Sequence, residues 1–233
     1  MAVTLVAVAV SFTVSASAGL GGSLVLVPTL ALVLGTKEGV AMAALLLAAN
    51  NVVKVYAYRE TLPWRKALGV IVLIAVGAGL GAGLLVAAPE TVVTVAVIVS
   101  FVGALIAERL DLSHVRTVGG PFLAFGSGAT SGFSGTSGPL KGMAIRQLGL
   151  DRAHFVGAAS LASLAGDATK AAVFTEAELL GGDSFLIAAT AVPLMLIATF
   201  TGRRINRSIG ERGYTGLFWA VMAGYTARLL LAL

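Results

Sequence analysis

The chain has 233 residues, of which 58% are hydrophobic and only 12% are charged. This composition excludes an ordinary soluble domain and is typical of a protein embedded in a bilayer. A net charge of +5 would suggest nucleic acid as the partner of a soluble protein, but here the basic residues fall in short loops between apolar segments, where they indicate orientation. The chain has no cysteine, which excludes disulfides, thiol nucleophiles and cysteine-held metals.

The first predicted element is a bent hairpin over residues 1–34, with a glycine run at Gly19–Gly22 as its tip and both ends outside the cell. Its first part ends in "SASAG" and resembles a signal peptide. Because Met1–Ala18 lacks a basic region and has a counterpart later in the chain, we expect it to be retained.

Apolar stretches of about 20 residues recur along the chain, each long enough to cross a ~30 Å hydrocarbon core as a helix. Within the second stretch, "GAGLGAG" at Gly77–Gly83 predicts close helix packing, since a dinucleotide motif would need a strand before it. The predicted spans are Gly39–Tyr58, Ala67–Ala88, Thr91–Ala107, Ser184–Gly202 and Thr215–Leu233.

A second hairpin is predicted in the middle of the chain. The loops His114–Arg116 and Asp151–Arg152 are both expected in the cytoplasm, so the segment between them enters the membrane and returns. Its arms are Val115–Ser131 and Ser137–Leu148, and the second arm, about 18 Å long as a helix, is too short to span comfortably. The glycine-rich stretch between the arms is the turning point.

The two halves of the chain resemble each other. "SAGLGGSLVLVP" matches "SGFSGTSGPLKG", and "NNVVKVYAY" matches "GDATKAAVF", which pairs Asn51 with Asp167 and Lys54 with Lys170. The linker after the Lys54 helix is rich in cations, whereas the linker after the Lys170 helix carries only acidic charges, so these equivalent helices should run in opposite directions.

These patterns predict an all-α polytopic membrane protein of two inverted-topology repeats. Each repeat is a broken or re-entrant helical hairpin followed by three transmembrane helices. The repeats cover residues 1–110 and 111–233 and form one integrated transmembrane domain, with the N- and C-termini external.

Both glycine turns are candidates for a binding site. Non-helical backbone at membrane depth is tolerated only where it is buried in protein or lines a wet cavity. The amides and hydroxyls beside each turn could together cradle an anion at helix N-termini, or the glycines could simply let helices pack closely. The candidate substrate-binding residues are Gly19, Gly21, Gly22 and Ser23 in the first turn and Gly132, Ser134, Gly135, Thr136 and Ser137 in the second.

Polar residues inside the predicted spans are the second set of candidates, because burying them is costly unless they serve a cavity. Asn50 and Asn51 could bind the same anion, and Asp167 is a candidate for carrying a proton. Lys54 and Lys170 could attract the anion or extend to opposite membrane interfaces. Lys141 could face the anion or pair with Asp151 or Glu176.

Several motifs together resemble the sulfite exporter TauE/SafE family, also called the 4-toluene sulfonate uptake permease family. They are "GLGGSLVLVPTL", "SGFSGTSGPL", the helix bearing asparagine and lysine, and the glycine-rich helix after it. The resemblance covers nearly the whole chain. It implies transport of sulfur-containing anions such as sulfite or sulfoacetate, without enzymatic activity.

We therefore expect a secondary transporter of such an anion that works by alternating access, with proton coupling as one option. The alternatives left open are an uncoupled small-anion channel and a transporter of another oxyanion or a carboxylate. The expected partners are the anion and the lipid bilayer of a prokaryotic cytoplasmic membrane. No cofactor, metal or nucleic acid is expected, and the sequence leaves monomer and homodimer open.

Overall fold

The computed structural model describes residues 8, 23–109, 119–137 and 140–197, and every regular element within these ranges is helical. The all-α class predicted from the sequence is therefore confirmed. A 3₁₀ turn, Arg59–Thr61, joins the second helix to the third. The helices are α1 (Ser23–Leu34), α2 (Thr36–Ala57), α3 (Trp64–Ala87), α4 (Glu90–Arg109), α5 (Gly120–Ser134), α6 (Leu140–Arg146), α7 (Arg152–Glu176) and α8 (Gly182–Ile197).

Two helices of the described ranges are long and apolar enough to cross a membrane. They are the stretch Thr36–Tyr56 of α2 and the whole of α3, while Glu90–Ala104 and α8 are shorter apolar helices. Each lies within one of the predicted apolar stretches or begins within a few residues of it. The predicted span Thr215–Leu233 and the tip of the first hairpin at Gly19–Gly22 lie outside the described residues.

One end of the bundle is organised by Glu90, the first residue of α4. Its Oε1 accepts a hydrogen bond of 2.9 Å from the backbone N–H of Thr36, which caps α2 just after Gly35 leaves helical geometry with a φ of 99°. The hydroxyl groups of Thr36 and Thr94 lie 2.7 Å apart. The end of α1 and the starts of α2 and α4 therefore meet at the end that the loop charges predict to be external.

At the opposite end, the linker after α2 lies beside the start of α7. Gly157 packs so closely there that a Cβ atom would come within 2.4 Å of the Thr61 carbonyl oxygen. The same two segments line a cavity of about 490 Å³, with Trp64 and His154 in its wall. Because α2 ends where α7 begins, these two helices run in opposite directions.

Helices α3 and α5 approach each other at backbone distance through four glycines. A Cβ atom at Gly77 or Gly81 on α3 would lie 2.3 or 2.2 Å from a carbonyl oxygen of α5, and one at Gly128 or Gly132 on α5 would lie 2.2 or 2.3 Å from a carbonyl oxygen of α3. No side chain fits at these positions. "GAGLGAG" thus contributes two glycines to helix packing, as its position within a span predicts.

Helices α5 and α6 form the second hairpin, and its bend lies at Gly135. This residue caps α5 in the left-handed region, with a φ of 78° and a hydrogen bond of 2.9 Å from its N–H to the Ser131 carbonyl oxygen. The first arm extends to Ser134, and α6 has only seven residues. The turn contacts Val27 on α1, because a Cβ atom at Gly135 would lie 2.8 Å from a Val27 methyl group.

The buried side chains form two clusters, and α7 contributes to both. One cluster joins α7, through Phe174, to α1, α2, α4, α8 and the end of α3. The other joins it, through Ala158 and Ala162, to α5, α6 and the start of α3. Large side chains such as Leu84 and Phe122 remain 64% and 78% exposed on the outer surface. Three polar residues of α7, Ser160, Asp167 and Lys170, are buried inside the protein.

Candidate functional site

A buried ion pair on α7 is the centre of the candidate site. Lys170 Nζ lies 2.7 Å from Asp167 Oδ1, and the amide of Asn51 on α2 donates a hydrogen bond of 2.8 Å to the other carboxylate oxygen. The exposed fractions are 1% for Lys170, 8% for Asp167 and 4% for Asn51. Both carboxylate oxygens are thus satisfied by donors, which such a buried charge requires.

The ion pair also reaches α5, next to the glycine turn. Lys170 Nζ donates a hydrogen bond of 2.9 Å to the hydroxyl group of Ser131, three residues before Ser134 at the end of that helix. Side chains of α2, α5 and α7 therefore meet at one point. Lys170 lies less than two turns before the last residue of α7.

Two further lysines approach Asp167 from other helices. Lys141 on α6 is half-buried and donates a hydrogen bond of 2.8 Å to the hydroxyl group of Ser163 on α7. Lys54, one turn after Asn51 on α2, is exposed at the protein surface. Ser163 precedes Asp167 by one turn of α7, and Lys54 follows by one turn the asparagine that binds Asp167, so both lysines lie near the ion pair.

Within the described ranges, Asp167 pairs directly with Lys170 alone, and Lys141 bonds a neutral hydroxyl group. Lysines thus outnumber carboxylates here, which leaves a surplus of basic groups at the site. Inside a protein of low dielectric constant such a surplus attracts anions much more strongly than in water. Ammonium groups and hydroxyl groups are also suitable hydrogen-bond donors to an oxyanion.

Some of the predicted site residues have other roles in the structure. Gly132 packs against the backbone of α3 at Ala78, and Ser134 donates hydrogen bonds of 2.8 and 3.3 Å to the carbonyl oxygens of Thr130 and Thr136. The remaining positions are buried at Gly135 and Thr136 and half-buried at Ser23, Asn50 and Ser137. Gly19, Gly21 and Gly22 lie outside the described residues.

Sequence reasoning missed Ser131 and Ser163. One face of α7 carries Ser163, Asp167 and Lys170, because each follows the one before it by about one helical turn. This spacing can be read from the sequence. Ser131 carries no such signal, because its partner comes from another helix. Lys141 bonds Ser163 and neither of the acidic residues considered from the sequence.

Comparison with known proteins identifies the family of the chain. The sequence profile of the family described as "Sulfite exporter TauE/SafE" matches residues 3–229, nearly the whole chain. Neither a curated protein sequence nor a solved structure gave a match. The chain belongs to the sulfite exporter TauE/SafE family of membrane transporters.

Proposed function

We propose that the protein is a secondary transporter that moves a small sulfur-containing anion, either sulfite or an organosulfonate such as sulfoacetate, across the cytoplasmic membrane of a prokaryote. Family membership supports an anion of the sulfite type. The observation that carries the proposal is the group of three lysines around Asp167, of which Lys170 is fully buried, Lys141 half-buried and Lys54 exposed. Its side chains, more than the ends of helices, form the anion site, since α6 after the glycine turn has only seven residues.

Alternating access between two inverted repeats is the proposed mechanism. The internal match pairs Asn51 with Asp167, and in the folded protein these two side chains hydrogen-bond to each other. The helices that carry them run in opposite directions. Both observations support a pseudo-twofold axis between α2 and α7, and repeats related in this way can rock about a central site to open it to each side.

Proton coupling would act through Asp167. Its carboxylate now occupies the Asn51 amide and the Lys170 ammonium group, two of the donors that an anion would use. Protonation of Asp167 would weaken both interactions and release the donors to the oxygen atoms of the anion. The proton and the anion would then bind together, with Lys54 and Lys141 supplying the remaining positive charge.

Transport in proteoliposomes tests the site. We expect Lys141→Met to lower sulfite or sulfoacetate uptake by about tenfold or more, because it removes a charged donor without leaving a buried charge unpaired. Lys66→Met, at an exposed position in the first turn of α3, is the matched control and should retain uptake. Equal uptake by both variants would exclude Lys141 from the site.

A second comparison tests coupling and the channel alternative. Asp167→Asn should transport without dependence on the pH gradient, whereas Asp183→Asn, exposed in the first turn of α8, should behave as the wild type. A transporter also shows saturation and counterflow. Conductance without either would identify the protein as a channel, and gradient-dependent transport by Asp167→Asn would remove the proton role.

A further inference from the structure

Ser127 on α5 is a buried polar residue that the network above does not use. Its side chain is only 1% exposed, and within the described part of the chain its hydroxyl group has no hydrogen-bond partner. Buried polar groups in proteins are nearly always satisfied, and an exception calls for an explanation such as an absent ion or ligand. The residue therefore marks a position where a bound group is expected.

The backbone offers Ser127 a partner that it does not take. Serine and threonine in helices commonly donate to the carbonyl oxygen four residues earlier, and Ser134, Ser160 and Thr169 do so here at 2.8 to 2.9 Å. Ser127 makes no such bond to Leu123. Its hydroxyl group is thus free to serve something outside its own helix.

Ser127 lies on the polar face of α5. It precedes Ser131 by one turn, so the two side chains lie on the same face, about 6 Å apart along the helix. Gly128 and Gly132 pack against α3, which is a different face. Since Ser131 binds Lys170, the face that carries Ser127 is the one turned toward α7.

The depth of Ser127 follows from the direction of the helices. Gly120 at the start of α5 contacts Gln147 in the linker before α7, so α5 and α7 begin at the same end of the bundle. Ser127 on α5 and Asp167 on α7 each lie about one turn before the contact between Ser131 and Lys170. They are therefore at a similar depth in the bundle. The next turn of α7 carries Ser163, where Lys141 is bound.

We propose that Ser127 is a substrate-binding residue whose hydroxyl group donates a hydrogen bond to an oxygen atom of an oxyanion held between Lys170 and Lys141. This rests on the proposed function, because it assigns a further residue to the same anion site. Lys170 faces the anion from one end of the bundle and Lys141 from the other, so both help to neutralise its charge. The Ser127 hydroxyl group gains the hydrogen-bond partner that it lacks.

Binding to the purified full-length protein in detergent tests this assignment, with sulfite and methanesulfonate as probes at one pH. We expect Ser127→Ala to weaken the binding of both anions by about tenfold or more, the usual effect of removing a hydrogen bond to a charged group. In the absence of anion, the melting temperature of the Ser127→Ala variant should be equal to or higher than that of the wild type, because the substitution removes an unsatisfied polar group.

Ser160→Ala is the matched control. Ser160 is also buried in a helix, but its hydroxyl group donates to the Val156 carbonyl oxygen, so this variant should keep the affinity of the wild type. If Ser127→Ala does not fold, Ser127→Cys, which keeps the shape and offers only a weak donor, takes its place. Unchanged affinity in the Ser127 variant would overturn the assignment alone, whereas a wild type that binds neither probe would overturn the proposed function as well.

Discussion

Asp167 is the residue on which the buried charge of this protein depends. Its carboxylate is held by Lys170 from the same helix and by Asn51 from another, and all three residues are buried. A buried ion pair need not be more stable than an apolar pair of the same shape, but breaking one leaves an uncompensated charge. Its effect on stability is therefore seen best when one partner is removed.

Lys170→Met should lower the free energy of unfolding by about 3–5 kcal/mol, because the buried Asp167 carboxyl group would lose its charged partner and keep only Asn51 as its donor. Adding Asp167→Asn in the same chain should restore a large part of this loss. Denaturant or thermal unfolding in detergent measures both variants, with the exposed Lys66→Met as a control that changes little. If Lys170→Met alone were as stable as the double variant, the pairing of Lys170 with Asp167 would be contradicted.

At the scale of elements, the contact between α3 and α5 holds the hairpin against the rest of the bundle. Both helices also carry glycines that do not take part in it, since a Cβ atom at Gly83 or Gly126 would meet nothing within 4 Å. The same substitution can therefore be compared at contacting and free positions of each helix.

Gly81→Ala and Gly128→Ala should each destabilise the protein by about 1–3 kcal/mol or more, because the added methyl group would lie 2.2 Å from a carbonyl oxygen of the neighbouring helix. Gly83→Ala and Gly126→Ala should leave the melting temperature unchanged or raise it, since alanine favours a helix. Equal effects at the two kinds of position would show that α3 and α5 do not approach at backbone distance.

For the whole molecule, the central prediction is its orientation in the membrane. The linker around Glu60 lies at one end of the bundle with the start of α7, and Asp183 follows the opposite end of α7. The cation-rich linker is expected in the cytoplasm and the acidic one outside.

Because the wild-type chain has no cysteine, single substitutions report sidedness directly. A membrane-impermeant maleimide should label Glu60→Cys in inside-out vesicles and Asp183→Cys in intact cells or right-side-out vesicles. Glu60 has an 85% exposed side chain, so failure to react would not come from burial within the protein. Labelling of both variants from the same side would refute the predicted crossing of α7.

The sequence by itself determined the environment and the helical class of this protein. Composition and segment length require burial in lipid, where backbone groups are satisfied within helices. The glycine-rich stretch also predicted the break at Gly135, because a glycine readily adopts the left-handed geometry that ends α5. The internal match singles out Asn51, Asp167 and Lys170, three residues that meet in the folded protein.

Only the tertiary structure decided which side chains meet. Helical periodicity shows which residues share a face but not which helix covers that face, so the contacts of Lys170 with Ser131 and of Lys141 with Ser163 could not be read from the chain. The same holds for the glycines, since Gly81 and Gly83 differ only in whether α5 lies against them. Helix packing therefore decides which side chains from distant segments come together at Asp167.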